Sequence, residues 1–73
     1  MIYHAVFERA DDGSVWAYVP DLPGCTSWGA TMDEARNQIR EAITLWLAAV
    51  REDGVEPPPP TTITSDPVEV DAA

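Results

Sequence analysis

Three short apolar runs followed by one long amphipathic stretch set the layout of the chain. Ile2 to Glu8 is rich in β-branched and aromatic residues and predicts a strand. Asp11-Asp12-Gly13-Ser14 follows, and Asp12-Gly13 is a hairpin-turn dipeptide because glycine tolerates positive φ. Val15 to Val19 then reads as the returning strand. Its alternation sends Trp16 and Tyr18 to one face and Val15, Ala17 and Val19 to the other. Pro20-Asp21-Leu22-Pro23-Gly24 breaks that strand, with Pro23-Gly24 at the centre of a type II turn. Cys25 to Trp28 supplies a short third strand.

Beyond it the period changes from two to about 3.6. Thr31 and Glu34 have the spacing of a capping box, and Asp33 and Glu34 sit where the helix dipole favours negative charge. Apolar residues recur at Met32, Ala35, Ile39, Ala42, Ile43, Trp46 and Val50, one face of a helix that ends near Glu52 with Gly54 as its terminator. Pro57 to Pro60 form a stiff extended strap of roughly 12 Å, at about 3.1 Å per residue. Val68-Glu69-Val70 reads as a short final strand returning beside the first. The expected fold class is α+β in the order β-β-β-α-β: a three-stranded antiparallel meander plus a short final strand, with one helix packed on one face. Residues 1–55 form the core and residues 56–73 the strap, strand and tail.

Size and charge narrow the function. A chain of 73 residues is one small domain, burying only about 60% of the surface its unfolded form exposes. Its core is thin, so self-association as a dimer or higher oligomer is expected. The first two strands carry apolar residues on both faces, and an uncovered apolar face marks an interface. Thirteen acids against four bases, all arginine, give a net charge of −9. That excludes the basic face nucleic acid demands, and anionic membranes repel such a surface. A basic protein is the natural partner, although acidity also simply keeps a small protein in solution. No apolar run is long enough to span a bilayer, and Met1-Ile2-Tyr3-His4 does not open a secretory signal, so a cytoplasmic location is expected.

Catalytic chemistry finds little support. Cys25 is the one cysteine and has no spaced base and orienting group, so it reads as a small core residue. His4 has no partners from which to build a zinc site. Asp11, Asp12 and Asp21 stand where turns ordinarily take aspartate. No catalytic residue, metal or cofactor is expected. Trp46 reads as core. Trp16 and Trp28 are left open between core and interface anchor.

The run Asp12-Gly13-Ser14-Val15-Trp16-Ala17-Tyr18-Val19-Pro20-Asp21-Leu22-Pro23-Gly24-Cys25 resembles the signature of HicB-family antitoxins. Thr31 with Asp33-Glu34-Ala35, then Ile39, Glu41-Ala42-Ile43 and Leu45, is similar to that family's helix motif. The likeness covers roughly residues 2 to 60 and continues loosely to Val70. It implies a partial RNase H-like fold. It implies, too, an antitoxin that binds HicA, a small basic mRNA-cleaving toxin, and masks its RNA-facing surface or catalytic histidine. That histidine belongs to the toxin, so His4 inherits no role. The RNase H likeness carries no activity, because only Glu8 is a strand-borne carboxylate here. Many family members add a C-terminal DNA-binding domain, which is not expected in this chain. On this reading Glu8, Asp11, Asp12 and Asp21 are rim acids and Trp16 and Tyr18 are contact aromatics. The alternative is a free-standing homo-oligomeric module for an unknown partner or small ligand.

Overall fold

The computed structural model describes residues 1–61 and 63–71. Three strands and one helix follow in order: β1 (Val6–Arg9), β2 (Val15–Tyr18), β3 (Thr26–Gly29) and α1 (Met32–Glu52). The strands form an antiparallel sheet in the order β1-β2-β3. The register pairs Phe7 with Ala17 and Ala17 with Ser27, so hairpin loops alone connect neighbours. The α+β meander-plus-helix expected from the sequence is what forms.

The loops explain the register. The Ala10 carbonyl accepts from Gly13 N, and Ala10 N returns to the Ser14 carbonyl, closing the β1–β2 hairpin on a three-residue loop. After β2 the Leu22 N–H reaches Val19, and Cys25 N–H reaches Leu22 at 3.0 Å. The second of these turns has Pro23 and Gly24 at its centre, and Gly24 takes φ +79°, as a type II turn requires. A residue with a Cβ is strained there. Gly24→Val is expected to cost about 1–3 kcal/mol, read as a lower melting temperature in thermal denaturation.

The core lies between the sheet's inner face and α1. Val15, Ala17, Val19, Leu22, Cys25, Ala35 and Ile39 are all buried. Ala42, Ile43, Trp46 and Leu47 pack against this set from the helix, and Tyr3, Ala5 and Phe7 from the N-terminal side. Helix α1 crosses β3 and β2 and leaves β1 aside. Its start is capped by the Thr31 hydroxyl, which accepts from Glu34 N at 3.2 Å. Its end closes in a Schellman pair, Gly54 N to Arg51 O and Val55 N to Val50 O. The Trp46 indole N–H donates to the Pro23 carbonyl at 3.1 Å, tying the type II turn to the helix.

Two expectations are corrected. Strand β1 begins at Val6, not Ile2, because β2 ends at Tyr18 and Pro20 cannot donate to a longer ladder. The fourth strand expected at Val68–Val70 does not form; among the described residues these three pair with no strand, and the two valines are 79% and 77% exposed. The strap explains this. The Tyr3 hydroxyl donates to the Pro58 carbonyl, and Thr61 then meets Asp21 beyond the end of β2. Going from Tyr3 to Asp21, the chain crosses the sheet's end away from the free side of β1. The tail beyond it projects. The radius of gyration is 14.7 Å, against about 11 Å for a compact chain of this length.

Candidate functional site

Among the described residues no layer covers the sheet's second face. The β1–β2–β3 register puts Glu8, Trp16 and Trp28 in one transverse row and Val6, Tyr18 and Thr26 in the next. All six side chains leave the sheet opposite α1, since Val15 and Ala17 between them face the core. Trp16 is 46% exposed and Trp28 53% exposed. The two indoles are thus cross-strand neighbours, each half-open to solvent. Paired exposed tryptophans on a flat strand surface are interface material, because they combine a large apolar area with one polar N–H.

Trp16 and Tyr18 therefore stand on the open face, where alternation placed them, with Tyr18 partly covered. Trp28 completes the row, and sequence reading had left it undecided. Its signal was the distance between turns: the Leu22–Cys25 turn fixes the β2–β3 register and so sets Trp28 opposite Trp16. Val6 also belongs to this face.

The acids distribute unevenly. Glu8 flanks Trp16 directly and is exposed. Asp11 and Asp12 stand exposed at the tip of the β1–β2 hairpin, the end of the sheet nearer the tryptophan row. Asp12 is also engaged locally, accepting from Ser14 Oγ at 2.6 Å and Ser14 N at 2.9 Å. These bonds favour the ionised form and hold the Asp12 carboxyl below its ordinary value. Its charge therefore persists through the neutral range.

Asp21 lies at the other end of the sheet, where its oxygens accept from Thr61 N at 2.9 Å and Thr61 Oγ1 at 2.7 Å. The backbone bond first, then the hydroxyl, depresses its pKa. Asp21 thus clasps the strap. With a folded-state pKa below the unfolded one, this clasp stabilises fully above the ordinary carboxylate range and is lost as pH falls through the depressed value. The protection factor of the Thr61 amide, its exchange measured against the intrinsic rate at each pH, is expected to fall on acidification to that range. In Asp21→Asn that pH-dependent fall should be absent.

The remaining candidate residues stand apart from one another. Cys25 is buried, and desolvation raises its thiol pKa, the reverse of an activated nucleophile. His4 is exposed before β1. Among the described residues no three His, Cys, Asp or Glu side chains converge, and no helix is long and apolar enough to cross a membrane.

A profile of the HicB-like antitoxins of bacterial toxin–antitoxin systems matches residues 3–71. The chain belongs to that family. Related chains are spread widely. An uncharacterised 14.9 kDa protein of Haemophilus phage HP1 is 39% identical over 69 residues, spanning 94% of this chain and 47% of the phage protein. The chain thus covers about half of that relative's length. A UPF0150 protein of Helicobacter pylori is 42% identical over 53 residues, covering 73% of this chain and 72% of its own. One from Archaeoglobus fulgidus is 38% identical over 56 residues, covering 74% and 81%.

Proposed function

We propose that this chain is a non-enzymatic cytoplasmic antitoxin that binds a small basic HicA-type mRNA-cleaving toxin and masks its RNA-binding or catalytic surface. The observation that carries this reading is the uncovered Glu8–Trp16–Trp28 row with the Asp11/Asp12 tip beside it. A toxin that grips RNA must present cations. Those cations are met here by carboxylates, while the indoles supply the dry centre that an inhibitory contact needs. The acting unit is the core of residues 1–55, a partial RNase H-like domain by family likeness that keeps no nuclease carboxylate set. Strap and tail, residues 56–73, are an appendage to it.

The test is cell-free translation in the presence of a purified HicA-type toxin encoded beside this chain. Added antitoxin is expected to restore protein synthesis at near-stoichiometric amounts and to form a complex that survives gel filtration. Undiminished toxicity with excess folded protein would overturn the assignment.

A further inference from the structure

A second unfilled surface lies on the other side of the sheet from the tryptophans. Because α1 covers β3 and β2 but not β1, an open groove of about 640 Å³ runs between β1 and the helix. Its floor is apolar, with Phe7, Ile39, Ile43 and Leu47, and Arg36 and Arg40 also line it. Two of the chain's four cations therefore border one groove. Arg36 stands 5.9 Å over the Phe7 ring, and its 3.8 Å approach to Asp33 is exposed and worth little. Beside the groove, the outer side of β1 has no strand partner among the described residues. An unpaired edge next to an apolar trough invites an added strand.

The projecting tail has the matching chemistry. Asp66, Val68 and Val70 alternate with Pro67, Glu69 and Asp71, so in an extended strand the two valines and Asp66 share one side. Both valines are bare. Docked at β1, that side would lay the valines over the groove floor and bring Asp66 to the arginines. The chain's own tail is led the wrong way, since the strap runs from Tyr3 to Asp21 and away from the free edge.

We infer that the β1–α1 groove receives the Asp66–Asp71 segment of a second copy of this chain. Two copies exchanging tails make two identical contacts, which closes as a two-fold dimer. The tryptophan faces remain open in it, so the contact stands apart from any toxin.

Sedimentation velocity of the full chain at micromolar concentration tests this. A dimer is expected. Val68→Asp/Val70→Asp should raise its dissociation constant by about 100-fold or more, since each tail loses two apolar anchors and gains two charges. Arg36→Glu/Arg40→Glu should weaken it by about 10-fold through repulsion of Asp66. Circular dichroism should stay native in both variants, because all four positions are exposed or bordering the groove rather than core. A monomeric wild type, or either variant dimerising like the wild type, overturns the exchange.

Discussion

Gly29→Ala should meet the tightest contact of the chain's four glycines and destabilise the fold strongly. A Cβ built on Gly29 would lie 2.3 Å from the Ala35 backbone nitrogen, 2.8 Å from its Cα and 2.9 Å from the Glu34 carbonyl carbon. Those atoms are the first turn of α1, fixed by the Thr31 cap, so no flexible side chain can yield. Either β3 moves or the helix lifts off the sheet, and both open the core above Ala17 and Ile39. Overpacking of this kind costs typically 1–3 kcal/mol and more where backbone must shift, so about 3 kcal/mol is expected. A chain of this length has only about 4–11 kcal/mol of total stability by per-residue scaling. Urea unfolding of Gly29→Ala should show a midpoint far below wild type. Gly13→Ala is the control: it meets nothing within 4 Å at φ +89° and should lose only the smaller cost of its backbone conformation. Equal midpoints for the two variants would show that the Gly29 contact does not limit the fold.

That contact illustrates what a sequence conceals. Nothing in the local sequence demands a glycine at position 29. Its φ is ordinary, and the requirement arises only where β3 and the helix start cross. By contrast, the hairpin at Asp12-Gly13, the Pro23-Gly24 turn, the Thr31 cap and the apolar stripe of α1 were legible because each is a short-range pattern with its own physical cause. The fourth strand was misread for the opposite reason. Val68-Glu69-Val70 has strand composition, but composition cannot report where a strap delivers the chain. Tyr3–Pro58 and Asp21–Thr61 are contacts across 55 and 40 residues respectively, and no periodicity encodes them.

The site was half legible. Alternation alone put Trp16 and Tyr18 on one face. It did not pair Trp16 with Trp28, which depends on the β2–β3 register. Asp21 was grouped with Glu8, Asp11 and Asp12 as a rim acid because an aspartate in a turn carries no mark of what it will bind. The structure gives its oxygens to Thr61, so its charge adds to the protein's field while its hydrogen-bonding capacity is engaged within the fold.

Toxin binding should divide between these two kinds of residue. Truncating both indoles, Trp16→Ser/Trp28→Ser, is expected to weaken the complex by about 100- to 1,000-fold, nearly all of it as faster dissociation. The two losses will not add, because the side chains are cross-strand neighbours and share one contact patch. The fold should tolerate the change, since an exposed cross-strand pair contributes only about 0.2–1 kcal/mol to a sheet. Glu8→Gln with Asp11→Ser and Asp12→Ser should act differently. These carboxylates are exposed, so they steer approach rather than hold contact, and removing them should slow association several-fold at low salt. Screening over about 8–10 Å near physiological ionic strength should erase most of that difference. Surface plasmon resonance of a HicA-type toxin against the three proteins across a salt series separates the effects. An unchanged off-rate for the folded double-tryptophan variant would place the contact elsewhere on the molecule. A salt-independent wild-type on-rate would remove charge from the account of how the partners meet.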